Sequence, residues 1–290
     1  MQVVTEIVKL ILMRKSIRLR SGGQALVLVL LALAVVLTIV LFILSRSITD
    51  ISISSAASSA VSAFSAAEAG VERALVIGTG GTSTVGSASY TSQVTNVAQG
   101  ATSFVYPVEL NAGDSMTLWL KAQDLSSDFT GSALKICWGK PGAYSDQSLI
   151  PAIETVVIYE ASAGVPATAR IFRAAFDSNA ARRVSNSFVA DSGTCTISGQ
   201  SFQFSTTLNF TSSGIVNPQF VFVRMFYNTD TSQPVAFEGS SGSVFPSQGI
   251  LVDSSGTAAQ SIRKVEVFQG WPEIPAPFQF AIYSSTGLTK

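Results

Sequence analysis

The feature that most constrains this chain is the run Ala25–Leu44. Thr38 is its only polar side chain, and it contains no Gly or Pro. A helix of this length rises ~30 Å, which matches the hydrocarbon thickness of a bilayer. The flank before the run is basic, with Arg14, Lys15, Arg18 and Arg20; the flank after it holds Arg46 and then Asp50. The positive-inside bias predicts a cytoplasmic N-terminus and a C-terminus outside, on a single membrane-spanning helix. A cleaved secretory signal is the rival reading. Its apolar core would be shorter, ~7–15 residues, with a small-x-small site directly after it. Here Ser45-Arg46-Ser47 follows, and Ala67-Glu68-Ala69 lies too far downstream.

Composition narrows the function classes. The chain has no His, which removes the commonest general base and metal ligand. No Gly-x-Ser-x-Gly or acidic metal loop occurs, and no enzyme, cofactor or metal is expected. Asp124, Asp128, Asp253 and Glu266 read as turn or strand-face carboxylates. Residues 1–23 carry five basic side chains and one acidic; the rest carries 13 basic and 17 acidic. A weakly acidic body argues against a nucleic-acid partner. Arg170, Arg173, Arg182 and Arg183 form the one basic cluster after the run, read as a solvated face or an anion contact. Asn209-Phe210-Thr211 has the letters of a glycosylation sequon.

The junction before the run reads Arg20-Ser21-Gly22-Gly23-Gln24-Ala25-Leu26-Val27. A basic leader, a Gly and an uninterrupted apolar helix resemble a prepilin peptidase site. The resemblance implies a leader 1–23, cleavage on the cytoplasmic side after Gly23, and a mature, N-methylated N-terminus at Gln24. Cleavage after Gly22 is the alternative, and Met13 is an alternative start that leaves a shorter leader. Most major pilins carry a Glu as fifth mature residue, where its carboxylate pairs with a neighbour's N-terminal amine. Here that residue is Leu28, and no acidic residue precedes Asp50. Gly23-Gln24-Ala25-Leu26 and Phe64-Ser65-Ala66-Ala67-Glu68-Ala69 resemble the minor pilins with a PilX-type N-terminus, over roughly residues 14–77. The family resemblance implies an assembly helix bearing Leu28, Phe64, Ala67 and Glu68. It implies other pilin subunits and the prepilin peptidase as partners, the membrane before assembly, and an extracellular pilus after it.

Residues 45–77 continue the helix. Ile53, Ala57, Ala60, Phe64, Ala67, Val71 and Leu75 recur at three- and four-residue steps and predict one apolar stripe for packing. Gly78–Thr82 reads as cap and turn. Beyond it, alternation predicts strands at 116–121, 134–138, 154–159, 202–210, 220–227, 262–268 and 278–283. The segment 163–186 reads as a strand followed by a helical turn, and the Pro-rich 271–277 as an extended connector. Eight or more strands without an intervening helix predict an antiparallel, sandwich-like β-domain over 78–290, packed on the helix 24–77: an α+β fold. Cys137 and Cys195 are either a disulfide or two separate buried thiols. A disulfide would close ~58 residues and stabilise by ~4 kcal/mol in the chain-entropy account.

Two function classes remain. One is a minor pilin-like subunit of a type IV pilus or related pseudopilus, serving filament assembly or surface interaction. The other is a permanently anchored, adhesin-like binding module that never enters a filament.

Overall fold

The computed structural model describes residues 24–123, 127–142, 144 and 146–273. It holds a long N-terminal apolar helix and a β-rich antiparallel domain, an α+β architecture. The chain divides into two compact units, one up to Val61 and one from Ser62 onward. The division falls inside the helix rather than at its end, because residues after Val61 pack on strands.

Helix α1 spans Gln24–Ile77. In the first unit its large apolar side chains, Leu26 through Ile53, are exposed. Apolar residues all round a helix, with no partner side chains, suit lipid as solvent. Length and composition qualify it as a single membrane span. Both of its threonine hydroxyls bond the helix itself: Thr38 Oγ1 donates to the Val35 carbonyl at 2.8 Å, and Thr49 Oγ1 to that of Ser45 at 3.0 Å. Such back-bonding removes the desolvation penalty of a bare hydroxyl in hydrocarbon. The helix ends at Gly78, whose φ of 77° only glycine adopts without strain.

The second unit begins with a four-stranded sheet. Strands β1 (Gly81–Val85) and β2 (Ala88–Asn96) form a hairpin. They pair with a second hairpin, β13 (Gly249–Ala258) and β14 (Ser261–Gly270), in the order β1-β2-β13-β14. Everything between β2 and β13 is inserted at the β2/β13 junction. The backbone marks the exit and return: Val97 N–H donates to the Gly249 carbonyl at 2.9 Å, and Gln248 N–H to that of Val97 at 2.8 Å.

The inserted segment builds two further antiparallel sheets. One contains β3 (Ser103–Val105), β5 (Ala133–Trp138), β10 (Phe204–Asn209) and β12 (Val235–Gly239), in the order β10-β5-β12-β3. The other contains β4 (Ser115–Trp119), β6 (Ala152–Glu160), β7 (Ala169–Asp177) and β11 (Pro218–Phe226), in the order β4-β11-β6-β7. Both contribute to one core, with Phe104, Ile136, Trp138 and Phe237 from the first and Leu118, Ile153, Val223 and Met225 from the second. Buried Trp138 donates its indole N–H to the Pro151 carbonyl at 3.1 Å, so the largest core side chain leaves no polar atom unmade. A short helix α2 (Ala180–Asn186) follows β7, as strand then helical turn.

The outer face of the first of these sheets carries a small hairpin, β8 (Cys195–Ile197) and β9 (Gln200–Phe202). The expected single strand 202–210 is broken here. At Gln203 the backbone N–H turns to the Gly139 carbonyl at 3.1 Å. The break sends Phe202 and Phe204 to different clusters, although strand alternation would place them on one face. Phe204 joins the main core, whereas Phe202 packs with Ile197, Ala236 and Cys137. Cys137 and Cys195 are disulfide-bonded in the structure, with 6.3 Å between their Cα atoms. The expected strand 278–283 lies outside the described residues.

Candidate assembly site

The resemblance puts the assembly chemistry on helix α1. Gly23 lies outside the described residues, and Gln24 opens the helix. Leu28 is exposed in the first unit. The second unit shows why its part of the helix is rich in small residues. Ala63, Ala66, Ala67 and Ala74 have no exposed surface, and Val71 is buried with them. Ala63 and Ala66 pack with Ala88 and Tyr90 of β2 and Ala258 of β13. Further along, Val71 and Ala74 pack with Val252 of β13.

The fit is backbone on backbone. A Cβ on Gly256 of β13 would overlap the Ala63 carbonyl oxygen and lie 2.6 Å from the Ala67 nitrogen. A Cβ on Gly70 would collide with Ser254 Oγ and lie 2.7 Å from the Tyr90 ring. Gly70 and Gly256 are therefore demanded by proximity, one from each side. Tyr90 also meets the helix through its hydroxyl, which accepts from Arg73 Nη1 at 3.4 Å.

This geometry corrects the expected stripe. The buried face is Ala63, Ala66, Ala67, Gly70, Val71 and Ala74; Phe64 is 45% exposed. A phenyl ring does not fit where the strand backbone touches the helix, so the face turns to present alanines. Of the four helix residues singled out, Ala67 lies in the seam. Phe64 and Glu68, one turn apart, lie together on the open face. That face also carries Glu72, which is exposed, and Val76, which is 86% exposed.

The basic cluster is taken up internally. Arg182 forms a 2.7 Å ion pair with buried Asp177 and donates to the carbonyls of Ser148 and Ile150, each at 2.7 Å. Its guanidinium lies 3.9 Å from the centre of the Tyr227 ring. Burial alone would raise the Asp177 carboxyl. Donation from Arg182, the Asn179 N–H and Asn186 outweighs it and holds the carboxyl below the usual aspartate value. Arg183 donates to the Asp177 carbonyl at 2.8 Å, and Arg173 pairs with Glu154 at 3.3 Å. Three of the four arginines are thus engaged within the fold.

Of the scattered carboxylates, Asp124 lies outside the described residues, and the other three have structural partners. Asp128 pairs with Lys121 at 2.5 Å. Asp253 and Glu266 sit opposite each other on β13 and β14, and Lys264 pairs with Asp253 and reaches Glu266 at 4.0 Å. Among the described residues, no group of three or more Cys, Asp or Glu side chains is placed to hold a metal ion.

Strand β1 was missed by sequence reasoning, and so were β2 and β13, which supply buried residues packed against the helix. Their inward positions include Ala88, Tyr90, Ser92, Val252, Ser254, Gly256 and Ala258. Alternation is present but is carried by size rather than hydrophobicity. Compared with protein-family models, curated proteins and solved structures, the chain matches none of them.

Proposed function

We propose that this protein is a minor, pilin-like subunit of a type IV pilus or related pseudopilus, held in the membrane by α1 before assembly. The observation that carries the reading is one helix with two different surfaces along its length. Its first half is apolar and exposed on every side; its last turns are seated on a sheet through alanines and glycines. A span that only anchors has no need of such a continuation, whereas an assembly helix must hold its own domain and leave a face for neighbours. Phe64 and Glu68 supply that face. Leu28 in place of the usual acidic residue supports a minor subunit rather than the bulk one. The two inserted sheets that share one core read as a sandwich carried outside the cytoplasm, and the Cys137–Cys195 disulfide fits an oxidising compartment.

The test is substitution on the exposed Ser/Ala stretch of the helix. Ser55→Leu or Ala56→Leu remains lipid-compatible, so the protein should still accumulate in the membrane. Under the pilin reading it disappears from sheared filaments, because close helix approach needs small residues. Unchanged filament content would leave a helix that faces only lipid, and the reading would fail.

A further inference from the structure

The inserted domain contains a cavity of about 450 Å³ at the ends of β6, β10 and β11. That volume lies within the ~300–1,000 Å³ range of small-molecule sites. Its floor is apolar, made by the rings of Phe129 and Phe210, both buried and packed edge to face. Its walls are polar, with Asp128, Glu160, Asn217 and Gln219 among the lining residues.

The wall groups are fixed before any ligand arrives. Glu160 accepts from the Gly164 N–H through one carboxylate oxygen at 2.7 Å. Asn217 donates its amide to the Glu160 carbonyl at 3.2 Å, and the Glu160 N–H returns to the Asn217 carbonyl at 3.2 Å. Gln219 donates to that same Asn217 carbonyl at 2.9 Å. Asn217 has a φ of 46°, a conformation that Asn tolerates better than most side chains. Each amide gives one N–H to the fold, which leaves its oxygen and its second N–H to meet a ligand. The cationic group in the wall, Lys121, is neutralised by Asp128.

We propose that this cavity binds a neutral saccharide. The apolar part of the lining suits the C–H groups of a sugar ring, and fixed amides and a carboxylate in the walls suit its hydroxyls. Among the described lining residues the cation is Lys121, already paired with Asp128, so an anionic ligand would meet Glu160 without a free counter-charge. The proposal is independent of filament membership, since it concerns only the inserted domain.

The experiment uses the full-length protein in a sugar-free zwitterionic detergent, titrated calorimetrically with lactose, maltose, cellobiose and chitobiose. Glu160→Gln keeps an oxygen for the Gly164 N–H, and Thr211→Val, also in the wall, removes only a hydroxyl. At least one disaccharide should bind saturably, and Glu160→Gln should weaken it by about tenfold or more, the loss of one charge-assisted hydrogen bond. If Glu160→Gln lowers the melting temperature, Thr211→Val decides in its place and should also weaken binding. No saturable binding by any of the four sugars overturns the proposal. So does binding that the well-folded variants leave unchanged. Cadaverine binding in place of the sugars would also overturn it, since it would show an amine site.

Discussion

The core shared by the two inserted sheets and the seam beneath α1 both exclude water, with opposite residue sets. The core is filled by large buried side chains such as Trp138, Phe237, Phe245, Met225 and Leu118. The seam is lined by Ala63, Ala66, Gly70, Ala88, Gly256 and Ala258, where the two backbones themselves approach. Large side chains gain stability from apolar area, ~25 cal/mol for each Å² removed from water. Small ones bury little area each, so the seam depends on dispersion at close range. The difference teaches which changes each region tolerates. The core is damaged by removing atoms, and the seam by adding them.

The largest effect is expected in the core. Trp138→Ala should destabilise by ~3–5 kcal/mol, the usual range for a fully buried aromatic, and leave the Pro151 carbonyl without its donor. Denaturant unfolding of the full chain in detergent would measure it; a loss under about 1 kcal/mol would show that the inserted sheets do not share a tight core. Next is the disulfide. Cys137→Ser with Cys195→Ser should cost about 2–4 kcal/mol, because the unfolded chain regains loop entropy and the β8–β9 hairpin loses its tie to β5.

Gly256→Ala sharpens the contrast. Adding one methyl to a core of large side chains displaces other side chains, which can shift rotamer. Here it strikes the helix backbone and should cost about 1–3 kcal/mol. The same addition at Gly142, where no heavy atom lies within 4 Å of the new Cβ, is a control for open space, although its positive φ adds backbone strain. The Asp177–Arg182 pair gives a pH signature. Its folded carboxyl lies below the usual aspartate value, so its contribution is complete above the unfolded value and is lost as pH falls through the folded one. Arg182→Met should flatten the acid limb of the stability curve below about pH 4, since aspartate titrates near there when unpaired. The smallest effect is at Phe64. Phe64→Ala should change stability by no more than about 0.5 kcal/mol, because the ring lies on the exposed face of the helix. A large loss there would place Phe64 in the seam after all.

How much of this was legible follows from the same contrast. Strands β4, β5, β6, β11 and β14 announce themselves because large apolar and polar residues alternate, as in Met116-Thr117-Leu118-Trp119. The helix is legible from the length of its apolar run. β2 and β13 are not, because Ser92, Ser254 and Gly256 face inward where a hydrophobic pattern would want Val or Leu. The stripe on α1 was misplaced for a related reason: Phe64 looks like a core residue until the nearness of Gly256 excludes it. The insertion itself depends on pairing between β2 and β13, which are distant in sequence and share no local signal. The break at Gln203 is invisible to alternation, since Phe202, Phe204 and Leu208 keep the same parity through it. Arg182 reads from sequence as part of a basic patch; its pairing with Asp177 needed the turn from β7 into α2.

The central claim is that α1 is a processed assembly helix rather than a plain anchor. Intact mass and N-terminal sequencing of the membrane-bound protein, from cells with an active prepilin peptidase, test it most directly. The account predicts a chain that begins at methylated Gln24 and keeps the apolar run. A chain that still begins at Met1 or Met13, or one that begins beyond Leu44 with the run removed, would contradict it.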